Sequence, residues 1–326
     1  MVNPKYLYEL LLDHCSTDAV IDKLMIGLVW TLCQTKGNSA SGLAMSPGYA
    51  TRTLSWSGSL TGKPITDLAS WIYDWDPFHS TVAMAAINSC INSRPLPPES
   101  VILTPPSEHA NLAVFEHFLP LIEGKKVVVI GHYPGVERYK DKMQLSVLEK
   151  QPTADDLPDS ACEFLLPTAD WVFLTASSIP NKTFPRLAEL SLNAKTVLMG
   201  PTTPWLPQLH EFGIDYLAGV EVVDPEALFH TAAQGGGVKI FSRGLRYRII
   251  ELTPSASLDW LKQQIGACAT ERTQLNQDME SWYANGNRNR FPQYNKLERV
   301  GVRLSRMDTS YKDLWDRHGS AATHMT

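Results

Sequence analysis

No stretch of this 326-residue chain approaches the roughly 20 consecutive apolar residues that a bilayer-spanning helix needs. The N-terminal MVNPKYLYELLLDHC is interrupted by Glu9 and Asp13. It therefore lacks the unbroken apolar core and small-residue cleavage site of a signal peptide. Five cysteines (Cys15, Cys33, Cys90, Cys162 and Cys268) lie far apart, and none form a CxxC pair, which excludes a disulfide framework and a closed zinc site. Nor do the nine histidines form an HxxxH pair. GxGxxG, the P-loop, the nucleophile elbow and an ordered Ser-His-Asp set are all missing, so no reaction follows from motif. Positive charge is not in excess either. A net charge of −5 argues against a general nucleic-acid or anionic-membrane surface. These absences leave a chain expected to be cytoplasmic, in a reducing compartment.

What is present is ordinary in bulk and informative in order. Hydrophobic residues make up 44% and charged residues 19%, enough for a sizeable core, and the length suits two domains. Residues 4–14 have helical spacing, with Leu7, Leu11 and Leu12 on one side. Residues 23–33 are apolar and β-rich, and the Lys36-Gly37-Asn38 turn leads into SGLAMS (41–46) as a hairpin. Pro64 and Asp76-Pro77 each stand where a helix begins. Strands followed by helices give an α+β unit over 1–106. The proline-rich 94–107 is the linker, and a helix through Val114, Phe115, Phe118 and Leu119 follows it.

Over 107–254, strands alternate with helices, as in a Rossmann-like α/β domain with a parallel sheet and right-handed crossovers. KKVVVIG (125–131), QLSVLE (144–149), DWVFLT (170–175) and KTVLMG (195–200) are strands, as are DYLAGVEVV (215–223) and GLRYRIIEL (244–252). Ligands of open parallel sheets sit beyond the carboxyl ends of the strands. The strand ends carrying Gly131, Glu149, Ser177 with Asn181, and Gly200 to Thr203 therefore outline one site. Gly131 admits backbone amides to a ligand, although GHYPGVE lacks the further glycines of a dinucleotide loop. Glu149 follows Gly131 by 18 residues, near the ~20-residue spacing of a ribose-binding acid, and serves equally as a metal ligand or a loop cap. Ser177, Ser178, Asn181 and Thr183 supply neutral donors and acceptors, with helix capping as the plain alternative for Asn181 and Thr183. In GPTTP (200–204), Gly200 allows close approach, Thr202 and Thr203 supply hydroxyls, and Pro201 and Pro204 stiffen a loop suited to an anion. QGGGVKIF (234–241) reads as a turn packed against the other domain. His132 lies among these loops. His79 lies near a helix start, and His109, Glu116 and His117 read as a solvated face.

The tail has its own grammar. Leu258, Leu261, Ile265, Cys268, Arg272, Leu275, Met279 and Trp282 are spaced alternately by three and four. Leu297, Val300, Leu304, Met307, Tyr311, Leu314 and His318 repeat the pattern. Residues 255–318 are thus an antiparallel, coiled-coil-like helical hairpin. Arg272 on the seam asks for a carboxylate. The bulk of Tyr311, Trp282 and Trp315 suggests a homodimer or another partner for the hairpin. Residues 319–326 carry no pattern and read as a disordered end or a non-native remnant.

GLVWTLC and GLAMS, GSLTGKPITDLASWI, STVAMAAINSCIN, KKVVVIGHYP, VLEKQP, LPTADWVFLTASSIPNKT, MGPTTPWLP and DYLAGVEVVD appear in that order. Together they resemble the putative heavy-metal chelation family over about residues 5–250. The resemblance implies an enolase-N-terminal-like domain before the Rossmann-like one, and a ligand site in the cleft between them. It points to Gly131, Tyr133, Pro134, Glu149, Asn181, Thr183, Gly200, Pro201, Thr202 and Thr203, with Glu149 and His132 as candidate metal ligands. Three functions follow as expectations. The first is binding of a metal ion, divalent or heavy, or of an oxygen-rich, metal-bearing ligand. The second is an enzyme using a nucleotide-like or S-adenosylmethionine-like cofactor. The third is an assembly protein acting through the hairpin.

Overall fold

A computed structural model describes residues 3–15, 19–37, 40–50, 52–97, 99–104, 110–153 and 155–322. Helix α1 (Pro4–Asp13) opens with the Asn3 side chain accepting from the Lys5 amide at 3.0 Å. It buries Leu7, Leu10 and Leu11. Strands β1 (Ile21–Ile26), β2 (Trp30–Thr35) and β3 (Ser41–Met45) form an antiparallel sheet in that order. The run 23–33, expected as one strand, is split by a turn at Gly27. A Cβ there would meet the Trp30 and Ala232 carbonyl oxygens at 2.9 Å, so glycine alone lets the chain reverse against its neighbour.

Helix α2 (Ile65–Ala69) continues as a 3-10 turn over Ser70–Tyr73, and α3 (Pro77–Ile91) follows. Asp76 caps α3 by accepting from the Phe78 and His79 amides at 2.9 and 3.2 Å. Every residue of α3 from Ser80 to Ile91 is buried. A helix that is apolar all round is covered on all sides. Here β2 and β3 lie against it, and its residues share one core with the large sheet.

The remaining elements are β4 (Val101–Ile102), α4 (Ala113–Ile122), β5 (Lys126–Ile130), β6 (Gln144–Glu149), β7 (Leu157–Pro158), α5 (Cys162–Leu165) and β8 (Trp171–Thr175). Then come α6 (Phe184–Leu190), β9 (Lys195–Met199), β10 (Tyr216–Val222), α7 (Pro225–Ala233), β11 (Leu245–Glu251), α8 (Pro254–Ala284) and α9 (Tyr294–Ala322). The protein is a mixed α/β structure around an eight-stranded sheet ordered β4-β11-β10-β9-β8-β5-β6-β7. The six strands from β10 to β7 pair in parallel. The chain moves outward from β5 through β6 to β7, then restarts on the other side with β8, β9 and β10. That reversal between β5 and β8 is a topological switch point, where open sheets leave a crevice.

Two expectations about this sheet are corrected. Strand β11, read from sequence as part of a parallel sheet, is antiparallel to β10. The physical reason is local: the Val223 and Asp224 amides bond the Gly244 carbonyl at 2.8 and 3.3 Å. The intervening α7 therefore never crosses the sheet, and the chain re-enters at the edge it left. The proline-rich linker also contributes structure, because β4 pairs with β11.

Helices α8 and α9 form the expected hairpin, and its seam closes on itself. Cys268 and Leu275 pack with Val300 and Met307, and Leu258 and Leu261 pack with Leu314. Arg272 is exposed rather than on the seam. Cys268 and Leu275 on either side of it stay on the seam, and between them it is the half-buried Glu271 that faces the other helix. The buried cation is instead Arg303, 5% exposed, which pairs with Glu271 and donates to Cys268 Sγ at 3.3 Å. Trp282 turns into the connecting loop, donating to the Asn289 carbonyl at 3.1 Å. The hairpin rests on α1, where Tyr6 and Ser310 hydroxyls meet at 2.8 Å and Arg306 reaches Asp13 at 3.1 Å. Helix α9 runs to Ala322, so residues 319–322, read as a disordered end, are helical: the helix carries through Gly319 and Ser320 into Ala321 and Ala322, the best helix former of all. Residues 323–326, like His109, Asn38 and most of the TPPS linker segment, lie outside the described residues. Among the described residues no helix is long and apolar enough to cross a membrane.

Candidate functional site

A cleft of about 1800 Å³ opens at the carboxyl ends of β5, β6, β8 and β9. Its other walls are the start of β2 and the end of β3 with residues 45–49, and the segment 234–243. Gly131, His132, Tyr133, Pro134, Glu149, Ser177, Ser178, Asn181, Thr183, Gly200, Pro201 and Thr202 all line it. Thr203 does not; it is buried behind the wall. Sequence reasoning from separate strand ends thus led to one cavity.

At the end of β5, Gly131 has φ +93° and its amide bonds the Leu148 carbonyl at 2.8 Å. A Cβ there would stand 3.2 Å from Thr175 Cγ2, in a backbone conformation that side chains resist. The Glu149 carboxylate accepts from the His132 amide at 2.9 Å and from its neighbour Lys150 at 2.7 Å. It therefore ties the β5 and β6 ends together. His132 is also engaged: Nδ1 faces Asp156 at 3.0 Å and Nε2 faces Glu137 at 3.1 Å. Burial works to raise the Asp156 carboxyl, but the bonds from His132 and Thr153 together outweigh it and hold the group below the usual carboxylate range. Pro134 gives its carbonyl to Asn111 Nδ2 at 2.9 Å, which pins the turn. The Tyr133 phenol is pushed up by burial, reinforced by the nearby Glu149 charge and only partly relieved by Thr175, so it keeps its proton.

Beyond β8, the hydroxyls of Thr175 and Ser177 lie 3.0 Å apart, and Ser178 donates to the Thr175 carbonyl at 2.7 Å. Thr183 occupies the N-cap of α6 but makes no capping bond, so its side chain remains with the cleft. Lys182, which the sequence reading passed over, has φ +66° without being glycine. Its ammonium donates to the Ile72 carbonyl and sits 4.7 Å over the Tyr8 ring. Burial, opposed by Asp74, brings its pKa down to about 8. No sequence motif marked it.

At the end of β9, Gly200 has φ +107°, and a Cβ would lie 3.5 Å from the Tyr133 hydroxyl. Thr202 proves to be a fastener. Its Oγ1 accepts from the Met45 amide at 3.0 Å and its carbonyl from Asn88 Nδ2 at 3.0 Å. Asn88 also donates to the Leu43 carbonyl at 2.8 Å, so one α3 side chain holds β3 and the GPTTP loop together. Segment 234–237 does pack on the N-terminal strands, as Trp30 Nε1 donates to the Gly237 carbonyl at 3.0 Å, and it lines the cleft as well.

The lining carries five Lys or Arg (Lys150, Lys182, Arg186, Lys239, Arg243) against two acids, Glu149 and Asp159. Arg186 is offset by Glu163 and Glu189. Lys150, Lys239 and Arg243 are exposed, and no ion pair to them is found among the described residues. The sequence did not group them because they come from two distant loops. Side-chain metal donors do not gather here. Among the described residues no set of three or more His, Cys, Asp or Glu is placed to hold an ion. With His132 and Glu149 turned to internal partners, the residues present do not fit a bare metal caged by side chains.

Fold and cleft together define a mixed α/β protein with a pocket at the switch point of its sheet. The chain belongs to the DUF364 family, whose model carries the description "putative heavy-metal chelation" and matches residues 113–251. A second model with the same description, DUF4213, matches residues 8–91. A solved DUF364-family protein of unknown function from Desulfitobacterium hafniense is 30% identical, with a TM-score of 0.63. That match covers 76% of this chain and 98% of the other. A second, from Pyrococcus horikoshii, is 22% identical with a TM-score of 0.60, covering 74% and 99%, and shares the fold. An uncharacterized protein of Methanocaldococcus jannaschii is 33% identical over 108 residues, 31% of this chain and 42% of that protein. The chain thus spans less than half of that curated relative.

Proposed function

We propose that the protein binds an oxygen-rich, anionic small molecule in the cleft, either free or carrying a metal ion. The observation that carries this reading is the set of three exposed cations, Lys150, Lys239 and Arg243, around the cavity in a chain whose net charge is −5. Low-dielectric walls focus such a field and raise the local concentration of an anion. Gly131 and Gly200, at positive φ, let main chain approach a ligand where a Cβ would crowd or strain the turn. The family description of heavy-metal chelation fits the same picture if the metal arrives on its own organic ligand. In that case the protein recognises the ligand's oxygen atoms and charge, and needs no cage of its own.

Titration calorimetry with citrate and zinc citrate, alongside metal analysis of freshly purified protein, tests the proposal. The expected result is exchangeable binding that weakens in the Lys239→Gln, Arg243→Gln double variant. Stoichiometric zinc surviving chelator dialysis would overturn it, as would a tight NAD complex.

A second reading has one observation of its own. With β5 counted as strand 1, the order of the parallel strands is that of dinucleotide-binding sheets, and Glu149 ends the strand beside β5. Against it stands the engagement of both Glu149 oxygens with amides. A thermal-shift screen with nucleotides and S-adenosylmethionine separates the two readings.

A further inference from the structure

Tyr247, on β11, is the one buried phenol of the cleft wall whose hydroxyl meets nothing among the described residues. The residue is 3% exposed and lines the cavity, and its hydroxyl has no hydrogen-bond partner. Nothing in the pattern GLRYRIIEL had marked it. Most buried polar atoms in folded proteins are paired, and an orphan on the wall of an open cavity is a place that a bound group or a water can fill. The surroundings say what kind of group. Phe241 stacks on the Tyr247 ring at 4.7 Å and 16°. Met199 and Trp30 add apolar wall, and Lys239 and Arg243 flank Phe241 in sequence on the solvent side. Burial, with Tyr133 alongside, pushes the Tyr247 phenol far up, so its proton is retained and the hydroxyl can donate.

We infer that Tyr247 is a ligand-recognition residue and that the cleft takes a planar, apolar-bodied carboxylate. The ligand's inner oxygen accepts from the Tyr247 hydroxyl, with the phenol of Tyr133 close by. Its apolar body lies along the wall made by Phe241, Met199 and Trp30. Its remaining charge faces Lys239 and Arg243. This inference rests on the reading of the cleft as a ligand site and narrows it to one chemical class.

The test uses the full chain, with pyridine-2,6-dicarboxylate as probe and citrate as the comparison lacking an apolar body. Wild type is expected to bind the probe more tightly than citrate. Tyr247→Phe is expected to melt at the same temperature as wild type or higher without ligand, because an unpaired donor has been removed. It should nevertheless bind the probe about fivefold to tenfold more weakly, the worth of one hydrogen bond made by a buried hydroxyl. A lower melting temperature with probe affinity within twofold of wild type marks the hydroxyl as structural or water-bound. That sinks the role of Tyr247 while leaving the cleft intact. Citrate binding as well as the probe overturns the ligand class alone. Failure of wild type to bind either molecule removes the inference together with the reading beneath it.

Discussion

Two seams hold this molecule together, and they are made of different material. The N-terminal strands and α3 join the large sheet through an apolar contact so close that Gly42 leaves no room for a methyl group. The helical hairpin rests on α1 through Arg306, Asp13, Glu9 and a pair of hydroxyls, with apolar contact from Trp260 near the base of α8. The first seam has the density of a protein interior. The second resembles the polar interfaces between domains, which respond to salt and pH. The family models stop at residue 251, just before α8 begins, so the tight seam lies within the shared region and the polar one joins that region to helices beyond it. The difference teaches that the cleft depends on the first seam and is indifferent, at close range, to the second.

That contrast can be broken first at Gly42. A Cβ there would fall 2.1 Å from the Ala85 oxygen and the Ser89 nitrogen, both main chain of α3. Gly42→Ala should cost about 3–5 kcal/mol, measured by urea unfolding. A loss under ~1 kcal/mol would show that the seam can relax. Next comes Asn88→Ala, which strips the donors from two buried carbonyls. It should cost about 2–3 kcal/mol and loosen the GPTTP loop, read as faster amide exchange at Thr202 and Thr203.

The polar seam should answer to pH instead. Burial raises the Asp13 carboxyl to about 6, against the pull of Arg306. The folded state therefore holds a proton that the unfolded chain has released, and this contribution is lost as pH rises from about 4 through 6. Relative to Asp13→Asn, wild type should lose up to about 3 kcal/mol across that window. A pH-independent difference between the two proteins would remove Asp13 as the sensor. The smallest effect concerns assembly. With the seam closed internally, a homodimer has to use the outer face, where Trp315 is 52% exposed. Light scattering should give a dimer for wild type and a monomer for Trp315→Glu; equal masses would end the dimer proposal.

Much of the architecture was legible because its signals are local. Period, Pro at helix starts and Gly at strand ends placed α3, β5, β6, β8 and β9, and hence the strand ends around the cleft. Strand direction was not legible for β11, because it depends on whether α7 crosses the sheet, and a bond from Val223 to Gly244 decides that. Side-chain roles were harder still. Thr202 read as a ligand donor, and nothing in the sequence hinted that its hydroxyl also accepts from the Met45 amide, 157 positions away. Glu149 looked like a ribose or metal acid, but two amides occupy it. Tyr247 escaped notice because an orphan is defined by what surrounds it, and no residue type announces that.

The bonds from Asn88 and Thr202 have a kinetic consequence. They staple the floor of the cleft to β3, so a swing of that wall about its base would have to break these bonds. A ligand must arrive through a mouth that is already open, and its capture should follow simple one-step kinetics. Observed rates would rise linearly with ligand concentration and show no plateau from a slow closing step.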